Sequence, residues 1–457
     1  MALSTEEQDA VNRLRTRIVD DAPKVRKRET YYEGKLRLEA LGLSLPPELR
    51  VLQTVVNWPF LVVEIMEERL DVEGFRLSGT DLLDDRLWAW WKANNLQEES
   101  SLGHTEALLH GRAYVVVGHN EDDVKTPLIT VEEAANMAHE RDPRTKKVRN
   151  VLRLYDFAPD GQARSAMLYT RNGWVQLATD HGRWREVDRD EHGLGRCMAV
   201  PLLNRARTKD RNGRSEIDNV MSMTDAACRA LTGLQGAQEI LAVPTRYVFG
   251  AEAKDFVDQA GNPVPKWEAY LGRFNTLANK DGKVIQLPAA DLRNFTETVN
   301  FYSKQLAALS GQPAKHFGHS SDANPASGDA IRQDENRPVK KAERRQTRFD
   351  GTWEEVMRCG LLLIDGEIPL EAVGMDTVWR DPSTPTYSSK ADAVTKLAQV
   401  QTADGPMLPR RAAWEEMGWS KAKMDRYEGM GSNDPVARML AVFGRAPAGM
   451  SGTGAPR

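Results

Sequence analysis

The apolar positions of this chain change period several times, and each change marks a new element. The longest helical signal lies late. Over residues 325–364, apolar side chains recur three or four apart at Val339, Ala342, Phe349, Trp353, Val356, Met357, Leu361 and Ile364, with Gln346 as a polar gap. Asn324 is a good N-cap, and Pro325 suits the first helical position because its missing N–H has no intrahelical partner there. Unbroken, this helix would run roughly 60 Å at ~1.5 Å per residue. Pro338 is expected to kink it by removing a ladder donor and crowding the preceding turn. Ahead of it, residues 311–324 read as a loop, because Gly311, Pro313, Gly318, Ser320, Ser321 and Asn324 all disfavour regular structure.

Two more helices precede that loop. One is capped by Ser215 and reaches about Leu241, with Ile217, Val220, Met221, Thr224, Ala227, Cys228, Leu231 and Leu234 on its face. The other is capped by Asp291, spans 292–310 and aligns Phe295, Val299, Tyr302, Leu306 and Leu309. Between them lie strands at 244–249 and 283–287, a polar excursion at 255–264 and a short segment at 267–271.

The first 214 residues alternate between the two periods and read as one α+β unit. Helical pattern runs from the capping box Ser4/Glu7 to about residue 42, with Pro23 expected to split it in two. A helix at 60–69 leads into a strand at 72–77, and a helix at 84–94 carries Trp88, Trp90 and Trp91, which suit a packing site better than an exposed platform. A helix at 100–110, strands at 113–118 and 127–131, and a helix over VEEAANMAHERD capped by Thr130 follow. Segments 148–157, 166–169, 173–178 and 183–187 are separated by Gly and Asp turns, the pattern of an antiparallel meander. After Ile364 come a turn at Asp365-Gly366, a short strand at 377–380, a helix capped by Ser389, a break at 406–409 and short helices. The Gly-, Ala- and Pro-rich stretch 445–457 is expected to be disordered.

Composition narrows the class. At 457 residues, with 28% charged and 40% hydrophobic residues, the chain can hold two to four folding units of ordinary soluble character. A net charge of −4 argues against a coat of basic charge, yet the basic residues cluster. Arg332 to Arg348 carries seven of them against three acids, net +4, and reads either as a solvated face or as one turned to nucleic acid or an acidic subunit. Residues 205–214 form a basic, turn-rich link, and Lys24, Arg26, Lys27 and Arg28 a shorter cluster. Cys197, Cys228 and Cys359 are scattered, so buried thiols are expected rather than disulfides or structural zinc. The N-terminus lacks a signal-peptide apolar region, and no apolar run approaches the ~20 residues of a membrane span.

Chemistry is sparse. There is no GxxxxGK[ST], HExxH, GxSxG or Rossmann glycine fingerprint. His316 and His319 lack a third ligand at fixed spacing. Asp122-Asp123 and Glu132-Glu133 suit turns or helix starts better than a two-metal centre. No catalytic residue, metal or cofactor is therefore expected.

The loop ending NPAS, the helix carrying KKAERRQ and the closing F-x-G-x-W-E-E-x-M resemble the portal proteins, or head–tail connectors, of tailed double-stranded DNA bacteriophages, in the branch common among actinobacteriophages of siphovirus type. The phrases EERLDVEGFR, WAWWKANNL, HTEALLHGRAYVVV and DPRTKKVR resemble the wing of that family, and WRDP, ADAxxKL and WEEMG its crown end, so the resemblance spans most of the chain. It implies a mainly helical, ring-forming α+β portal fold. The wing would span 1–214, the first stem helix 215–242, the clip 243–291, the second stem helix 292–310, and the tunnel loop 311–324. A kinked helix would follow at 325–364, and crown and C-terminal helices at 365–444.

The resemblance further implies a homo-oligomer of about twelve subunits, with duplex DNA in its channel. It implies a large terminase, a head-completion or adaptor neck protein, and the major capsid protein and scaffold as partners, and no membrane. The location would be the capsid vertex of the virion, with host cytoplasm during assembly. Lys315, His316, His319, Ser320, Ser321 and Asn324 would then be the DNA-facing loop residues. Lys340, Lys341, Arg344 and Arg345 would form a basic DNA or subunit contact, and Asp258, Asn262, Lys266 and Trp267 a docking site on the clip. The alternatives are a metal-dependent nuclease or DNA-modifying enzyme using the acids near 120–133 with the basic helix, and an adaptor without a channel.

Overall fold

The computed structural model describes residues 3–36, 54–80, 82–180, 182–241, 246–249, 256–257, 276–277, 283–286, 292–318, 328–383, 387–402, 405–419, 423–424 and 426–428. The chain divides into two compact units, Met1–Pro382 and Ser383–Arg457.

The first unit opens with α1 (Thr5–Tyr32), started by the expected capping box: Glu7 N–H donates to Ser4 Oγ, and Ser4 N–H to the Glu7 carboxylate. Pro23 does not divide it. The helix runs straight through, with Pro23 on an exposed face where water can take the carbonyl left without a donor. Next come α2 (Trp58–Glu67), β1 (Val72–Arg76), α3 (Asp85–Ala93) and α4 (Leu96–His110), which starts four residues earlier than its pattern suggested. Strand β2 (Arg112–Gly118) is the centre of an antiparallel sheet with β3 (Leu128–Glu132) and β9 (Ala199–Leu203).

The expected helix after Thr130 is absent. Residues Met137–Arg141 form β4, the first strand of an antiparallel sheet completed by β5 (Val148–Phe157), β6 (Ala163–Tyr169), β7 (Trp174–Asp180) and β8 (Arg183–Asp190). Glu, Ala and Met favour a helix locally, but successive buried residues join different cores. Met137 packs with Tyr114, Val116 and Val151, and Ala138 turns the other way, into a core with Val11, Leu14 and Leu152. A strand sends successive side chains to opposite faces, whereas a helix sets them about 100° apart.

Helix α5 (Met221–Leu241) starts six residues after the expected cap. Ser215 Oγ instead accepts from Ile217 N–H within a turn that places Glu216 in the interior. It packs on α6 (Arg293–Ser310), where a Cβ on Gly233 would come 3.2 Å from the Phe295 ring. Between them, β10 (Arg246–Phe249) pairs with β13 (Lys283–Gln286), and β11 (Phe256–Val257) with β12 (Thr276–Leu277). Helix α7 (Gly328–Asp365) continues through Pro338. Its distal half lies against β2, β9 and β14 (Asp376–Trp379), reached through the short α8 (Leu370–Val373), and β14 pairs with β1. The main core gathers Phe75, Trp91, Leu108, Val115, Phe349, Trp353 and Met357. All three cysteines are buried and unbridged.

The second unit contains α9 (Tyr387–Gln399), the small pair β15 (Gln401–Thr402) and β16 (Gly405–Pro406), and α10 (Arg410–Glu416). Ser389 therefore lies inside a first turn rather than capping it. Trp414 stacks on Trp419 at 5.7 Å between ring centres, with Tyr427 against both.

Candidate nucleic-acid interface

The segment after α6 is more ordered than its glycines suggested. Gly311 closes the helix in the left-handed region, φ 72°, and its N–H donates to Ala307 O. Gln312 Nε2 then donates to Val62 O at 3.0 Å, and Ala314–Phe317 form a 3-10 turn that buries Phe317 in the main core. Residues 311–318 are thus a loop with one 3-10 turn, fastened to the body of the first unit. Lys315 is exposed with its ammonium 3.6 Å from Glu335. His316 is half-buried; burial pushes its pKa below the ordinary value, and neighbouring Lys315 and Arg69 push the same way. His319, Ser320, Ser321 and Asn324 lie outside the described residues, as do Asp258, Asn262, Lys266 and Trp267 of the clip segment.

The basic helix does not present four side chains on one face. Lys340 and Arg344 are exposed, Lys340 beside Glu343 at 2.7 Å. Lys341 and Arg345, however, turn inward onto Glu216. Arg345 holds Glu216 Oε1 through Nε at 2.9 Å and Nη2 at 2.6 Å, and Lys341 Nζ lies 3.6 Å from Oε2. This corrects the expected exposed quartet. A helix of 3.6 residues per turn that buries Ala342 and Phe349 must carry Arg345 to the edge of the same buried stripe. Arg205 adds a third cation at 3.5 Å, and Asn204 Nδ2 donates to Glu216 Oε1 at 3.1 Å. Burial alone would raise the Glu216 carboxyl; Arg345, Lys341 and Arg205 outweigh it and hold the group below the usual carboxylate range. Burial lowers both Lys341 and Arg345, against the pull of Glu216. Lys341 Nζ also donates to Ser310 O, so this charged knot touches the end of α6. Nothing along the chain singles out Glu216, because a lone glutamate next to a basic link has no pattern that marks burial.

A second grouping was also invisible in the sequence. Glu29 on α1 meets Glu106 and His110 on α4, with one donor atom from each within 4.8 Å of the others. His110 Nε2 lies 2.6 Å from Glu29 Oε1 and 3.8 Å from Glu106 Oε2, and Ala134 N–H donates to the other Glu106 oxygen. A hydrogen-bonded imidazole–carboxylate pair accounts for this geometry.

Asp123 and Glu132, two of the acids near 120–133, are engaged in separate contacts. Asp123 accepts from Lys125 N–H at 3.0 Å and from the Thr126 hydroxyl at 2.7 Å in a turn. Glu132, in a strand rather than at a helix start, pairs with Arg153 at 2.7 Å. Among the described residues these acids belong to no grouping of three potential metal ligands. No helix among them is long and apolar enough to cross a membrane.

Comparison with known proteins supplies the family. The profile of the phage portal proteins, SPP1 Gp6-like, matches residues 13–428. The portal protein of Mycobacterium phage D29 is 40% identical over 417 residues, covering 89% of this chain and 84% of its own. That of Mycobacterium phage L5 is 39% identical over 399 residues, covering 86% and 81%. A chain from the neck of an empty GTA particle, computed with C6 symmetry, shows a distant likeness: TM-score 0.46, 15% identity, 82% of this chain and 94% of that one covered. With one family profile and two closely similar relatives spanning nearly its whole length, this chain belongs to the SPP1 Gp6-like family of phage portal proteins.

Proposed function

We propose that copies of this chain close into a ring at one vertex of a phage head, and that double-stranded DNA enters through the ring during packaging and leaves through it on infection. The observation that carries this reading is the 40% identity to the D29 portal protein over 89% of the chain. The chain itself performs no covalent chemistry; with no phosphate-binding loop in its sequence, a large terminase supplies the ATP-driven work. The clip at 243–291 docks that motor and later the neck proteins, and the capsid protein and scaffold surround the ring, which assembles in the host cytoplasm. Exposed Phe301 and Leu309 on α6 suit burial against a neighbouring subunit. Electron microscopy and mass measurement of the purified protein test the ring directly: a closed annulus of about twelve copies is expected, and a persistent monomer overturns the reading.

In this reading residues 311–324 face the passing duplex. Their start, 311–318, is fastened to the body of the first unit and carries the exposed Lys315. Deleting residues 319–323, which leaves the anchored turn and the buried Phe317 in place, is expected to spare the ring and impair packaging or DNA retention; normal packaging by that variant removes these residues from the mechanism.

A further inference from the structure

The link at 205–214 and the basic helix are far apart in sequence but adjacent in space. The link folds back on itself: Arg214 N–H donates to Asn204 O at 2.7 Å, and Asn204 Nδ2 returns to Arg214 O at 2.8 Å. Its crossing over Gly111 requires glycine, since a Cβ there would lie 2.7 Å from Arg214 N at φ 93°. At the tip, Arg207 and Asp210 exchange backbone hydrogen bonds at 2.8 and 3.0 Å. Arg348 Nη1 donates to Ala206 O at 3.0 Å and so pins the tip's base to α7, while Glu216 holds Arg205, Lys341 and Arg345 beneath.

The result is a strongly polarised surface. Residues 205–214 and 337–348 contribute eleven Lys and Arg against two acids, Asp210 and Glu343, in a chain whose net charge is −4. Arg207, Lys209, Arg211, Arg337, Arg344 and Arg348 are all exposed. Two kinds of partner could answer such charge: the phosphates of a nucleic acid or an acidic face of another protein. The centre of a protein–protein interface is depleted of charge and anchored by apolar or aromatic groups. Here, among the described residues, no large hydrophobic side chain is exposed between Val187 and Phe301, or between Leu309 and Leu370. The two basic segments expose cations with no apolar anchor of their own, which suits phosphates, recognised by charge alone.

We propose that this ridge binds the phosphate backbone of duplex DNA without reading its sequence, as a contact separate from residues 311–324. The proposal deepens the reading of the protein as a DNA conduit and rests on it. The test is binding of a fluorescent duplex of arbitrary sequence to the full-length protein across a KCl series, with particle mass measured in parallel. Two variants are compared with wild type, Arg207→Gln/Lys209→Gln/Arg211→Gln at the tip and Arg337→Gln/Arg344→Gln on the helix. Each neutralised phosphate contact is worth about 0.9 in the slope of log K against log salt, so the tip variant is expected to flatten the slope by about 2 to 3, and the helix variant by about 2. Slopes equal to wild type in both variants overturn the ridge. So do variants that lose assembly while binding DNA normally, since the ridge would then be a subunit contact. If wild type forms no ring yet its DNA binding still depends on these residues, the ridge stands and the ring reading falls; a ring that ignores DNA has the opposite meaning.

Discussion

One helix, α7, crosses two environments, and they differ in what makes them stable. Near its distal half, Trp353 meets Trp91 edge to face at 4.9 Å, and its indole N–H donates to His104 Nε2 at 3.0 Å. His104 stacks on Phe349 at 5.1 Å, and burial pushes its pKa down to about 3, so it sits there neutral. About two turns earlier the same helix buries Arg345 against Glu216. The aromatic region removes apolar surface from water and satisfies one polar pair. The charged region removes ions from water and recovers that cost only through several close contacts on one carboxylate. The first environment tolerates no lost volume. The second tolerates no lost charge.

The largest expected effect comes from breaking the aromatic side. Trp353→Ala leaves a cavity and strands His104 without its donor, and should lower stability by about 4 kcal/mol. The midpoint of denaturant unfolding checks this, and an unchanged midpoint would show that the aromatic cluster is not what holds α7. On the charged side, Glu216→Gln keeps the shape but leaves Arg345 buried and unpaired, at a cost of about 3 kcal/mol. Adding Arg345→Met to that variant should restore part of the loss, since Arg345 is the most deeply buried of the three cations that Glu216 holds. The pH dependence separates the two sides further. Glu216 has a folded pKa below its ordinary 4.5, so its contribution is complete above that value and is lost as pH falls through the depressed pKa. The gap between wild type and Glu216→Gln should therefore narrow in acid, whereas the gap for a Trp353 variant does not depend on the ionisation of Glu216.

The same contrast explains what the sequence could disclose. Apolar periodicity placed Phe349, Trp353, Val356 and Met357 on one buried stripe, and the tryptophans of α3 in a packing site, because burial of apolar groups is written in spacing. It could not place Arg345, since a charged side chain reads as solvent-facing until its partner, more than a hundred residues away, is known. The missed strand at Met137–Arg141 has a related cause. Its local composition favours a helix, and only the presence of a core on each face reverses that preference. The candidate site divides in the same way. The basic segments were visible one at a time, but their union through Arg348 and Ala206 depends on tertiary structure.

A smaller effect of opposite sign sharpens the comparison at a residue between the two environments. Asp350 accepts a hydrogen bond from Trp379 Nε1, yet burial raises its pKa from 3.8 to about 6, with the charges of Glu354 and Asp376 adding to the rise. A carboxyl with a raised folded pKa favours the folded state when protonated. Its penalty is absent below the unfolded value near 3.8 and grows as pH rises through about 6. Asp350→Asn keeps an oxygen for Trp379 and removes the charge. After allowance for solvent screening at this half-buried position, it should stabilise the protein by about 1 kcal/mol at pH 7 and by nothing measurable at pH 4. Thermal unfolding at the two pH values decides the matter. Equal gains at both would assign the effect to packing, and a loss at pH 7 would mean that the Asp350 charge is compensated as Glu216 is, so that the two environments along α7 obey one rule after all.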